Sequence, residues 1–262
     1  MSAIVIIPAR YGSTRFPGKP LFLIKSKADG RPPRPLIQHV YENSKGSKLA
    51  TDVLVATDSK EIYEAVIAFG GKAVMTSPKH ASGTDRIAEA AMGPGYDMYD
   101  IIVNVQGDEP LIRPGMIDDV IGLLDDERAS IGSLVKKISR PGDILDPNIV
   151  KAVFDGEGFA LYFSRAPIPY HRDAWKRPEL EEIRNSSHAV YKHIGIYGYR
   201  KDALLLLQKL PPSRLEGIER LEQLRALEHG MKIKLKETEF DTIGVDTPED
   251  IERVEKCLST YS

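Results

Sequence analysis

The chain reads as an α/β protein built on a mostly parallel sheet covered on both faces. Short apolar runs at Ile4 to Ile7, Val53 to Ala56 and Ile101 to Val105 have the continuous character of strands buried on both sides. Segments of helical period stand between them. With 262 residues, the chain can bury about 70 to 75% of its unfolded surface. It contains no repeat, low-complexity tract or linker, so residues 1–262 are expected to form a single domain.

Taken in order, Ile4 to Ile7 is the first strand. Leu36, Ile37, Val40 and Tyr41 share one helical face; Ile62, Ala65, Val66 and Phe69 form the next, closed by Gly70-Gly71. Ser82-Gly83-Thr84-Asp85 reads as a capping box ahead of Ile87. Pro114 suits the first turn of a helix buried through Ile117, Val120, Ile121 and Leu124. Ile149 to Phe154, the turn Asp155 to Gly158, and Phe159 to Phe163 predict an antiparallel hairpin. Ala166 to Ser187 is rich in Pro and charge, carries one Trp and has no clean period, so an arm is expected over about 164–190. Tyr191 to Tyr199 resumes as a strand. Ser213 with Glu216 is a second capping box, predicting one helix with Leu215, Ile218, Leu221, Leu224 and Leu227 inward, ended by Gly230. A last helix is expected after Thr247-Pro248, and Lys25 to Pro35 is a basic, Pro-rich surface loop.

The formal net charge is −2, leaving no global field to attract nucleic acid or an anionic membrane, so the expected substrate is small. Ala203 to Leu207 falls far short of the roughly 20 residues a membrane span needs. The single cysteine, Cys257, cannot close an intramolecular disulfide. With no signal-like segment before the first strand, a reducing cytoplasm is the expected location.

The first strand empties into a loop with three cations, Arg10, Arg15 and Lys19, and two glycines, Gly12 and Gly18. Such a loop can hold a polyphosphate through backbone N–H groups and charge-assisted side-chain donors. It is not a Walker loop: five residues separate the glycines and Pro20 follows the Lys, which removes the hydroxyl that would bind Mg²⁺. Asn104 to Pro110 leaves the C-terminal end of the third strand, where open α/β sheets bind ligands. Asp108 there is a candidate for a hard divalent cation, which needs few protein carboxylates when a triphosphate supplies other oxygens. Asp246, before the last helix, is in a similar position, although Thr247, Pro248 and Asp250 already account for a helix start.

PARYGSTRFPGKP, SGTDR, NVQGDEP, YFSRAPIP, HIGIYGYR, LEQLR and GVDTPED occur together in this order. With them the chain resembles the 3-deoxy-manno-octulosonate (Kdo) cytidylyltransferases, or CMP-Kdo synthetases, from residue 3 to about 255. The resemblance implies a Rossmann-like sheet of the nucleotide-diphospho-sugar transferase type; the hairpin and arm are expected to serve dimerisation, because Tyr162, Phe163, Ile168, Tyr170 and Trp175 put aromatic and apolar area into a segment with little core of its own. It implies transfer of CMP from CTP to the anomeric hydroxyl of Kdo, in the route to lipopolysaccharide, with Mg²⁺ as cofactor and a homodimer as the working form. By resemblance Ala9, Arg10, Ser13, Arg15 and Lys19 bind the nucleotide, with Arg10, Lys19 and Asp108 catalytic. Ser82, Gly83, Thr84 and Arg86 lie near the cytidine. Asp108 holds Mg²⁺ and Asp246 a second ion. Gln106, Arg165, His193, Tyr197, Glu222 and Gln223 face the sugar. No general base is implied, because two ions can lower the hydroxyl's pKa.

Two rivals stay open at this point. CMP-sialate synthetases are similar but differ in the segments corresponding to YFSRAPIP and HIGIYGYR. A catalytically silent nucleotide-sugar binding protein could use the same fold.

Overall fold

The structure, a computed structural model, describes residues 1–12, 16–25, 32–172 and 189–260. Its strands are β1 (Ala3–Ala9), β2 (Leu23–Ile24), β3 (Arg34–Pro35), β4 (Asp52–Thr57), β5 (Ala73–Met75), β6 (Ile101–Asn104), β7 (Ile131–Lys137), β8 (Lys151–Phe154), β9 (Ala160–Ser164), β10 (Tyr191–Arg200) and β11 (Ile233–Glu237). Its helices are α1 (Leu36–Ser44), α2 (Lys60–Ala68), α3 (Gly83–Ala91), α4 (Pro114–Gly122), α5 (Pro141–Leu145), α6 (Lys201–Lys209), α7 (Arg214–Glu219), α8 (Gln223–Glu228) and α9 (Pro248–Thr260).

β1 is central because both its faces are apolar. Val5 and Ile7 join the core formed with α1, α2, α4 and α9. Ile4 and Ile6 join the opposite core, formed with α3, α6 and α8. The period of two along a strand thus feeds two helical layers. The sheet runs β11-β7-β10-β6-β1-β4-β5. β1 is parallel to β4 and β6, whereas β10 is antiparallel to both β6 and β7. β8 and β9 form the expected antiparallel hairpin beside β10. β2 and β3 pair separately at the ends of the basic loop.

One expected element divides. The predicted helix after Ser213 is two short helices, α7 and α8, because Arg220 adopts a left-handed φ of 55° and its N–H bonds Glu216 O at 2.8 Å, ending α7. Ile218, expected inward, is consequently 65% exposed. The break also puts Glu222 at the start of α8. Phe163, expected to give apolar area to the dimer contact, is instead fully buried against His193, their ring centroids 5.0 Å apart. Trp175 lies outside the described residues.

Candidate active site

The site gathers at the C-terminal ends of β1 and β6, where backbone groups are no longer committed to the sheet. Beyond Arg10 the chain returns through Gly18, whose φ of 71° favours glycine and whose N–H bonds Tyr11 O at 3.0 Å. A single 3₁₀ turn, Lys19–Leu21, follows, with Pro20 in its first turn where no N–H is needed. Lys19 is thereby fixed and buried. On the β6 side Gly107 packs so closely that a Cβ there would stand 2.7 Å from Pro8 O. Only glycine lets Asp108 approach the end of β1 this way. Val245 N–H donates to Asp108 O at 2.9 Å, which sets Asp246 beside the same turn. The N–H groups of Asp246 and Thr247 both donate to Asp250 Oδ2 at 3.0 Å, forming the start of α9. Burial works to raise the Asp250 carboxyl, but these donors, together with Arg253, hold it below the ordinary value.

Between these segments lies a cleft of about 380 Å³, lined by Pro8 to Arg10, Gly12, Lys19, Pro20, His80 to Gly83, Arg86, Gln106 to Asp108 and Asp246. Lys19 Nζ lies 2.7 Å from Asp108 Oδ2 and 3.5 Å from Asp246 Oδ1, and it donates to Val245 O. Arg86 is buried, with Nη2 2.7 Å from Asp58 Oδ2 at the end of β4. Ser82 caps α3, accepting from Asp85 N–H at 3.1 Å. His80 contacts Glu89. Among the described residues no group of three or more His, Cys, Asp and Glu side chains could hold a metal ion. Asp108 and Asp246 are a pair, which suits an ion completed by phosphate oxygens.

A second, inner cavity of about 50 Å³ is lined by Thr84, Asn104, Gln106, Ile131, Tyr197, Tyr199, Leu207, Glu222 and Gln223. Gln106 lines both spaces. Thr84 Oγ1 donates to Glu222 Oε2 at 2.9 Å. Glu222 Oε1 is buried without a hydrogen-bond partner, and burial pushes this carboxyl up. Burial likewise raises the Tyr197 and Tyr199 phenols, so both stay neutral. His193 Nε2 meets Ser133 Oγ at 2.9 Å, and its ring lies against Phe163 and Tyr197. Burial pushes it down to about 3.

Of the residues expected to bind nucleotide, Ala9, Arg10, Lys19, Ser82, Gly83 and Arg86 line the cleft, with Gln106, Asp108 and Asp246 beside them. Ser13 and Arg15 lie outside the described residues. Thr84, expected beside the nucleoside, lines the inner cavity together with Tyr197, Glu222 and Gln223. Arg165 lines neither space: its Nε donates to Glu219 O and Nη1 to Pro147 O, each at 2.8 Å. His193 also lies outside both linings, behind Tyr197. Sequence reasoning missed Asp58, His80 and Asn104. Asp58 had a readable signal, an Asp between the apolar run Val53 to Ala56 and the Ser59 that starts a helix.

Residues 4–233 match the family model described as Cytidylyltransferase. The chain is 54% identical to the 3-deoxy-manno-octulosonate cytidylyltransferase of Thermodesulfovibrio yellowstonii, each covered in full. It is 47% identical to the 8-amino-3,8-dideoxy-manno-octulosonate cytidylyltransferase of a Shewanella species, over 99% of both chains. A solved CMP:2-keto-3-deoxy-manno-octonic acid synthetase complexed with CTP superposes with a TM-score of 0.86 at 42% identity, covering 98% of each chain. Strand-end placement of the cleft and full-length similarity agree: this chain belongs to the cytidylyltransferase family, among the 3-deoxy-manno-octulosonate cytidylyltransferases.

Proposed function

We propose that the chain transfers CMP from CTP to the anomeric 2-hydroxyl of Kdo, releasing pyrophosphate and supplying CMP-Kdo for lipopolysaccharide assembly. The observation that carries this reading is the pair of cavities that share Gln106 in their walls, the outer one bearing Arg10 and Lys19 and the inner one walled by neutral and acceptor groups. A triphosphate needs the first kind of wall, and a polyhydroxylated acid needs the second. With the two substrates meeting at Gln106, the 2-hydroxyl can attack the α-phosphorus in line. Arg10 and Lys19 stabilise the departing pyrophosphate, on which negative charge grows as the bond breaks.

Asp108 and Asp246 fit Mg²⁺, since their carboxylates already converge on one cation, the Lys19 ammonium. When bound there, Mg²⁺ neutralises phosphate charge and lowers the effective pKa of the attacking hydroxyl. No side chain is then needed as general base.

We further read residues 1–262 as one catalytic domain. It would work as a cytoplasmic homodimer, paired through the outer face of the hairpin and the residues that follow, where Leu161 and Tyr170 are 62% and 67% exposed. Among the described residues no helix is long and apolar enough to cross a membrane. A monomeric mass by light scattering at micromolar concentration would reject the dimer.

The test is pyrophosphate release over a panel of nucleotides and acids. Formation with CTP and Kdo in Mg²⁺ is expected. Formation with sialic acid but not Kdo would favour the rival synthetase, and the absence of formation with either acid would favour a binding protein. A marked preference for 8-amino-Kdo would shift the acceptor alone.

A further inference from the structure

The Lys19 ammonium has three donors, and among the described residues three acceptors face it: Asp108 Oδ2 at 2.7 Å, Asp246 Oδ1 at 3.5 Å and the Val245 carbonyl. The residue is 8% exposed. Gly18 and the 3₁₀ turn hold its backbone in place. Lys19 therefore occupies the ground between the two carboxylates that suit a divalent ion. An ammonium and a dication cannot share one carboxylate pair at contact distance without strong repulsion, and the partly buried setting screens that repulsion poorly.

We propose that Lys19 is the resident cation of the Asp108–Asp246 site and keeps divalent ions out of it until a nucleoside triphosphate arrives. The triphosphate brings several negative charges to Arg10 and Lys19 and offers oxygens to both cations. Lys19 can then exchange carboxylate for phosphate partners while the carboxylates take the divalent ion. The two carboxylates face a cation both before and after the exchange, so the nucleotide-free protein is metal-poor and metal enters with, or after, CTP. A further consequence is that Lys19 reaches the β- and γ-phosphates only when the carboxylates no longer need it, which couples its catalytic position to metal loading. The inference rests on the reading of Asp108 and Asp246 as metal ligands.

Mn²⁺ binding to the full-length, nucleotide-free protein, followed by electron paramagnetic resonance, tests this without turnover. Lys19→Met is expected to bind Mn²⁺ at least tenfold more tightly than wild type, Lys19→Arg no more tightly than wild type, and Lys19→Met with Asp108→Asn to lose the gain. Equal affinity of Lys19→Met and wild type would overturn the proposal. Wild-type crystals soaked in Mn²⁺ decide the matter even if the variants fold poorly. An anomalous peak between Asp108 and Asp246 is expected with CTP and not without it. A peak there without CTP, beside an unmoved Lys19, defeats the exclusion role alone. No peak even with CTP defeats the metal reading beneath it.

Discussion

Thr84 Oγ1 donates to Glu222 Oε2 at 2.9 Å across 138 residues of sequence, tying α3, whose first turn walls the nucleotide cleft, to α8, which walls the inner cavity. Among the described residues this is the one hydrogen bond to a carboxylate whose other oxygen is buried and unbonded. Thr84→Val keeps the shape and removes the donor. It should cost about 1–3 kcal/mol of stability and raise KM for Kdo severalfold more than KM for CTP. Equal effects on the two KM values, or none, would reduce the bond to architecture.

Asp58 and Arg86 form a pair with the guanidinium buried and the carboxylate at its rim, 2.7 Å apart. Asp58→Ala strands a buried charge beside the cleft. The expected loss is about 3 kcal/mol, with weakened CTP binding, checked by urea unfolding and CTP titration. Asp58→Asn should recover part of both.

Two glycines make opposite predictions. At Gly107 a Cβ would stand 2.7 Å from the backbone oxygen of Pro8, which has little room to move. Gly107→Ala should shift Asp108 and lower kcat by roughly 10²-fold, the scale of a 1 Å misplacement in a catalytic site. Gly115, in α4, has open space around it, so Gly115→Ala should add about 0.5–1 kcal/mol of stability and leave kcat unchanged.

His193 supplies the pH prediction. Burial lowers it to about 3, whereas the unfolded chain takes up the proton near 6.5. Between those values the unfolded state binds more protons, so the contribution of neutral His193 is full above pH 6.5. It is lost as pH falls toward 3, at up to about 1.4 kcal/mol per pH unit. The stability advantage of wild type over His193→Gln should shrink between pH 7.5 and pH 5 in urea unfolding. A constant offset would contradict a ring held neutral by its surroundings.

The parts of this fold that could be read in the sequence are those with long-lived local signals. β1, β4 and β6 are apolar runs, and α1, α2 and α4 carry helical period on one face. β7 was not legible because Gly132 and Ser133 interrupt its apolar character. A side chain at Gly132 would meet Val120 O at 2.7 Å, a tertiary reason invisible along the chain. The division of α7 from α8 depends on one left-handed Arg, a residue type with no preference for that conformation. At the site, the motifs named the residues, Asp58 excepted, but not the meetings. Lys19 with Asp108, Thr84 with Glu222, and Asp58 with Arg86 are joined by sheet order and register, which no spacing encodes.

Asp108 and Asp246, brought together on Lys19, are the pair proposed to form the transfer site. The most direct test is kcat for CTP- and Kdo-dependent pyrophosphate release in wild type, Asp108→Asn and Asp246→Asn across a range of Mg²⁺, with melting temperatures measured alongside. Asn keeps the size and turn preference of Asp, so stability should move by a fraction of a kcal/mol. In both variants kcat is expected to fall by about two orders of magnitude or more, with the fold intact and partial recovery at high Mg²⁺. A near wild-type rate for Asp246→Asn at low Mg²⁺ would contradict that proposal and leave Asp108 as the sole metal ligand of the pair.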